Sequence, residues 1–206
     1  MTFQRFAIGL LGGLGKWLFS VKYVGVENIP KQGAVVIASN HINGWDPLLH
    51  AFNFKREFRV MAKKELFRFK PFGWLLRKIG AFPVERSRGD RGAVVAAKNA
   101  LESGKMLLIF PEGTRSKTGK LLPFKSGAAL FAVSTGSPIV PAIIHAPKGI
   151  GLFHPTVIEY GAPISPAELS PDAVCASPTG VMLKAATGRL RDRMEQMHGR
   201  EVSANA

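Results

Sequence analysis

Polar and apolar positions fall into blocks whose period changes along the chain. Over MTFQRFAIGLLGGLGKWLFS (1–20), Phe3, Phe6, Leu10, Leu14, Trp17 and Leu18 share one face at about 100° per residue, and Arg5, Gly9, Gly12, Lys16 and Ser20 share the other. That period predicts an amphipathic helix. Two placements fit it: a helix lying in a bilayer interface, which aromatic residues opposite Lys and Arg suit, or a helix packed on the chain's own core. Lys16 interrupts the apolar run and no A-x-A-like cleavage site follows, so the segment reads as retained.

Beyond it, short apolar runs alternate with helical patterns. AVVIAS (34–39) has the β-branched composition of a strand buried on both faces and closes in Asn40-His41. Asp46-Pro47 reads as a helix N-cap with proline in the first turn, opening LLHAFNF. FRVMAKKEL (58–66) is a second strand candidate. Pro71 and Gly80 bracket a short helix in PFGWLLRKIG, and AFPV (81–84) is extended. Asp90 can cap RGAVVAAKNALES, which stops at Gly104 before the buried strand KMLLIF (105–110) and the loop PEGTRSKTGK. The uncharged stretch 126–146 reaches membrane-spanning length, but Gly136, Pro138 and Pro141 divide it into helix, turn and strand. Strands around PIVPAII and TVIEYG, a capping box from Ser165 to Glu168 and a basic helix near 180–197 complete the pattern.

Strands and helices alternating at this spacing predict an α/β fold: a single domain with a largely parallel mixed sheet flanked by helices, behind the N-terminal amphipathic helix. The expected divisions are 1–21 for that helix, 22–198 for the domain and 199–206 for a loose tail. In such sheets ligands sit beyond the carboxyl ends of the strands. SNH after the first buried strand and PEGTRS after the later one both fall there, some seventy residues apart.

Charge sharpens this picture. Among 206 residues, 28 Lys and Arg against 14 Asp and Glu leave +14, which calls for an anionic partner. Specific nucleic-acid binding is disfavoured, because the aromatic residues follow apolar helix faces instead of interleaving with Lys and Arg in a stacking groove. The single cysteine, Cys175, excludes an internal disulfide and fits a reducing compartment.

His41 and Asp46 stand five apart across the strand-to-helix turn NHINGWD. An imidazole whose other ring nitrogen is held by a carboxylate can take a proton from a hydroxyl, although an aspartate before proline is also a plain helix cap. Backbone N–H groups near Gly113 and Thr114, the fork of Arg115 and the nearby Lys117, Lys120 and Lys125 could hold a phosphate, or form a solvated basic turn. Arg86 in PVERSRGD carries the same two readings. There is no GxxxxGK[ST], no GxGxxG after a strand, no HExxH and no GxSxG, and histidines 41, 50, 145, 154 and 198 are scattered, so neither a nucleotide nor a metal site is indicated.

In order along the chain, NHINGWD (40–46), GAFPVER (80–86), FPEGTRS (110–116) and SPIVPAII (137–144) resemble the four blocks of the glycerolipid acyltransferase family, of the bacterial 1-acylglycerol-3-phosphate acyltransferase type. The likeness continues through MAKKELF, FGWLLRKIG and LLPFKSGAALFA, over roughly 22–162. It implies that His41 is the general base and that Asp46 orients it and stabilises its imidazolium. It implies that Arg86, Gly113, Thr114 and Arg115 hold the acceptor's phosphate, that Glu112 orders that site, that Lys125 adds a further contact, and that Pro141 lies near the donor. Glu85 stands where Asp is usual, Asn43 where Ser is frequent and Ala142 where Val is common, departures that bear on substrate shape. The implied reaction moves an acyl group from acyl-CoA or acyl-carrier protein, as co-substrate, to the hydroxyl of lysophosphatidic acid, giving phosphatidic acid in phospholipid biosynthesis. No bound cofactor and no metal are implied. The implied partners are an anionic membrane surface, the lysophospholipid and an acyl-carrier protein, at the cytoplasmic face of the membrane, peripheral or monotopic. Glycerol 3-phosphate, another lysophospholipid or a lyso-aminolipid are alternative acceptors, and a non-catalytic basic module for nucleic acid or membrane is the alternative of another class.

Overall fold

Why the two most apolar runs form the centre of the sheet follows from their neighbours on both sides. The computed structural model describes residues 3–85, 90–170 and 177–200, the side chains of 3 and 5–11 excepted. Strand β2 (Val35–Ser39) is buried along its whole length and lies between β5 (Met106–Ile109) and β6 (Ile139–His145), both parallel to it. The remaining strands are β1 (Val21–Val24), β3 (Phe58–Lys63), β4 (Ala81–Val84) and β7 (Thr156–Tyr160). The order is β1-β7-β6-β2-β5-β3-β4, and every pairing is parallel except β6 with β7. This is the expected α/β class with a largely parallel mixed sheet.

Period-two alternation then builds two cores. Val35, Ile37, Met106 and Leu108 point to one face, while Val36, Ala38, Leu107 and Ile109 point to the other. The first face is covered by α1 (Phe3–Leu18), α2 (Asp46–Ala51) and α3 (Lys70–Lys78), with Leu49, Phe52, Phe58 and Phe67 in its core. The second is covered by α4 (Arg91–Glu102), α5 (Gly127–Thr135) and α7 (Gly180–His198), around Leu101, Phe131, Leu190 and Met194. A four-residue α6 (Pro166–Leu169) carries the predicted capping box, Ser165 Oγ accepting from Glu168 N–H and Glu168 from Ser165 N–H. Asp90 caps α4 as expected, accepting from Ala93 N–H at 3.0 Å.

Three expectations change. Asp46 is not the N-cap of α2: Trp45 holds that position without a side-chain bond, and the Asp46 carboxylate turns back toward residues 41–43. The strand expected over 58–66 stops at Lys63, and residues 64–67 form a 3-10 turn. Strand β1 was not anticipated; its VKYV run is too short to announce itself beside the helix that ends at Leu18.

Two glycines of α1, Gly12 and Gly15, have a packing reason. A Cβ on Gly15 would meet the Phe52 ring at 2.3–2.8 Å, and one on Gly12 would meet the Phe52 carbonyl at 3.2 Å. The helix therefore lays Gly12 and Gly15 on the protein and leaves Leu14 and Trp17 more than half exposed. Phe3, Arg5, Phe6, Gly9 and Leu10 of the predicted faces lie outside the described side chains, and Arg86, Cys175 and the tail past residue 200 lie outside the described residues.

Candidate active site

Because β2, β5 and β3 run parallel, the loops after all three emerge at one edge of the sheet. The loop after β2 carries His41, which is buried apart from 8% of its surface. Asp46, fully buried, accepts three hydrogen bonds on its Oδ2 oxygen alone: from His41 Nδ1–H at 2.7 Å, Ile42 N–H at 2.7 Å and Asn43 N–H at 2.9 Å. A carboxylate only accepts, so Nδ1 carries the hydrogen and Nε2 keeps its lone pair. The ring stacks on Phe110, centroids 4.2 Å apart, which fixes its second degree of freedom. The geometry therefore presents an oriented imidazole with its tautomer set, an arrangement able to accept a proton at Nε2.

The loop after β5 grips this turn by its backbone. Glu112 accepts from His41 N–H at 3.0 Å with one oxygen and from Leu122 N–H at 3.1 Å with the other, and Ser116 N–H donates to the His41 carbonyl at 2.7 Å. Burial holds the Glu112 carboxyl above its ordinary range, the His41 and Leu122 N–H groups pulling the other way. Gly113 adopts a left-handed φ of 69°, and a Cβ there would meet the Lys125 side chain at 3.0–3.1 Å, so the lysine stem lies directly across the glycine. Arg115 bends back over the first turn, its Nη1 3.7 Å from where a Gly44 Cβ would stand. His41, Asp46, Glu112, Gly113, Arg115 and Lys125 thus gather around one edge, Thr114 is exposed on the same loop, and Arg86 is outside the described residues.

A cavity of about 290 Å³ opens beside this edge, between α4 and α5, lined by Met61, Glu85, Asp90, Phe110, Gly113 and Lys125 among others. Phe110 is shared: it lines the cavity and carries the His41 ring. On the other side of the 110–122 loop a wider cleft of about 610 Å³ includes Ile42, Lys120, His145 and His198. Among the described residues no three His, Cys, Asp or Glu side chains stand together as metal ligands, and no helix is long and apolar enough to cross a membrane.

The sequence profile of the acyltransferase family matches residues 20–145, which contain His41, Asp46, Glu112, Gly113, Arg115 and Lys125. The chain belongs to the acyltransferase family. It is 36% identical over 133 residues to the 1-acyl-sn-glycerol-3-phosphate acyltransferase of Borreliella burgdorferi, covering 63% of this chain and 53% of that one. It is 32% identical over 185 residues to the enzyme of the same name from Bacillus subtilis, covering 87% and 89%. The chain thus spans about half the length of the Borreliella burgdorferi relative and nearly all of the Bacillus subtilis one. The crystal structure of a 1-acyl-sn-glycerophosphate acyltransferase from Thermotoga maritima superposes with a TM-score of 0.70 at 27% identity, over 97% of this chain and 83% of that chain.

Two residues of this acyltransferase-family site escaped sequence reasoning as supports of the turn. Asn40 donates to the Ile144 carbonyl at 3.2 Å and accepts from Ile144 N–H at 2.8 Å, pinning the His41 turn to β6. His50, wholly buried beneath it, lies 2.9 Å from Ser39 Oγ and 3.0 Å from the Tyr160 hydroxyl. Ser39 gives its hydrogen to the Asn40 carbonyl at 3.1 Å, so it accepts from His50 Nε2–H and leaves Nδ1 to accept from Tyr160. Burial, with His41 as a second contribution, pushes the His50 pKa down to about 3. The only signal for His50 was its place four residues after Asp46 on an apolar helix turn.

Proposed function

We propose that the chain transfers an acyl group from a thioester, acyl-CoA or acyl-carrier protein, to the free hydroxyl of 1-acylglycerol 3-phosphate, giving phosphatidic acid. The observation that carries this reading is the His41–Asp46 pair at 2.7 Å, locked by backbone bonds to the loop that bears Gly113 and Arg115. Nε2 of His41 takes the hydroxyl proton as the oxygen attacks the thioester carbonyl, a new C–O bond forms, and the tetrahedral intermediate expels the thiolate as the C–S bond breaks. The imidazolium, stabilised by Asp46, then returns its proton to the departing sulfur. General-base help of this kind is worth about 10² to 10⁴ in rate, and holding both reactants supplies much of the remainder.

Arg115, Lys125 and the N–H groups of Gly113 and Thr114, with Arg86, would hold the acceptor's phosphate, while Glu112 orders their loop against the base. Glu112 is then a positioning residue. The lipid nature of the acceptor sets the location: the chain sits on an anionic bilayer at its cytoplasmic face, with Leu14 and Trp17 of α1 turned to lipid. The half-exposed state of those side chains and the net charge of +14 support this placement.

The test is a panel of acceptors against one labelled thioester, followed by thiol release. Lysophosphatidic acid is expected to be acylated, and His41→Ala to abolish transfer while the fold and vesicle binding persist. Turnover retained in that variant would end the mechanism, and transfer to a phosphate-free acceptor at equal kcat/KM would remove the role given to Arg115.

A further inference from the structure

The turn and helix between β3 and β4 expose more apolar surface than their packing explains. Leu66, Phe69, Phe72, Trp74 and Leu75 are each 43–69% exposed within ten residues. Helix α3 is seated through Gly73, where a Cβ would meet the Phe67 carbonyl at 2.8 Å, and through Leu76, which packs on the first core. Its other large apolar side chains, Phe72, Trp74 and Leu75, face outward. They are framed by Lys63, Lys64, Arg68, Lys70, Arg77 and Lys78, all exposed, with Glu65 as the one carboxylate in the stretch. Lys78 Nζ stands 5.6 Å above the Trp74 ring and Arg77 5.2 Å from the Phe67 ring, so the stems of these cations lie along the aromatic surface.

We propose that the segment 64–78 is a second membrane foot, independent of α1, which inserts Phe69, Phe72 and Trp74 at the headgroup level of an anionic bilayer. Aromatic side chains ringed by cations are the composition of an interfacial element, and monomeric proteins rarely leave such a patch without an occupant. A second copy of the chain fits poorly, because a two-fold contact would set six cations against the same six. Position adds to the match. The turn leaves the sheet at the edge where His41 and the 110–122 loop emerge, and Lys64 reaches Glu85, on the rim of the 290 Å³ cavity, at 3.5 Å. A lipid acceptor lifted from the bilayer would enter that cavity beside the foot. The inference deepens the bilayer placement proposed above and does not depend on the acyl chemistry.

The test uses the full chain with W17F and W45F, so that Trp74 is the only indole. On adding phosphatidylglycerol vesicles, Trp74 emission is expected to shift to shorter wavelength and to be quenched by vesicles with brominated acyl chains; phosphatidylcholine vesicles give a weaker response. In the otherwise unaltered chain, F69E/W74E is expected to weaken vesicle co-sedimentation about tenfold or more. Lys70→Gln, Arg77→Gln and Lys78→Gln are each expected to weaken it about fivefold at low salt. An unshifted Trp74 spectrum overturns the proposal, as does unchanged sedimentation of F69E/W74E with native circular dichroism. So does a lipid-free dimer that F69E/W74E dissociates and vesicles do not. Transfer to a short-chain acceptor dispersed as monomers reads the catalytic proposal separately: its absence with the Trp74 response intact fails that reading and leaves this one.

Discussion

Replacing Asp46 by asparagine separates its two duties. In the proposed mechanism the carboxylate stabilises a developing imidazolium, and its Oδ2 also staples the turn by accepting from Ile42 N–H and Asn43 N–H. An asparagine oxygen in the same place still accepts all three bonds and keeps the His41 tautomer, but removes the charge. A hydrogen bond to a charged group is worth about 1.5–3 kcal/mol, so kcat for Asp46→Asn should fall roughly 10- to 10²-fold with KM little changed. Asp46→Ala also orphans two half-buried N–H groups, at about 2–4 kcal/mol together, which for a chain of this size lowers Tm by about 5–15 °C. Thiol release under saturating substrates, with thermal unfolding beside it, measures both. The decisive comparison is His41→Ala/Asp46→Asn: if the aspartate works only through the imidazole, the double variant is no slower than His41→Ala. Turnover of Asp46→Asn within twofold of the parent, at the parent's Tm, would show that the carboxylate charge does no catalytic work and that the residue is a staple and nothing more.

Glu112→Ala leaves His41 N–H and Leu122 N–H without their acceptor, and is expected to cost about 1–3 kcal/mol in unfolding titrations and to lower kcat through the displaced base. Stability should fall as pH drops below about 6.5, because the unfolded chain protonates His50 there while the folded chain keeps it neutral down to about 3. The slope is at most about 1.4 kcal/mol per pH unit, made shallower near pH 4.5 by Glu112, whose raised pKa favours the folded state as it protonates. His50→Gln should flatten that profile in Tm against pH. Gly15→Ala drives a methyl into the Phe52 ring and is expected to cost about 1–3 kcal/mol, read as lost hydrogen-exchange protection over residues 12–18.

The parallel core was legible because strands buried on both faces must be continuous apolar runs, as VVIAS and MLLI are. What alternation did not reveal was which strands pair: β2 lies beside β5 and β6, contacts between residues up to about a hundred positions apart that no local pattern encodes. The edge strand β1 was invisible because four residues alternate too briefly to be told from a loop. At the site, spacing proposed His41 with Asp46 but could not choose between partner and cap; three bonds on one oxygen chose. His50 was passed over because the environment that perturbs it, Tyr160 and Ser39, comes from elements that only tertiary structure brings together.

Since the downstream loop captures both the N–H and the carbonyl of His41, the proposed base and the proposed phosphate-holding loop are cast in one piece. A chimera that borrows only the loop from a relative would therefore be expected to misplace the imidazole along with it. Attempts to retune selectivity should therefore transplant 40–46 and 110–122 as a matched set, and divergence within one of these stretches constrains what the other can tolerate.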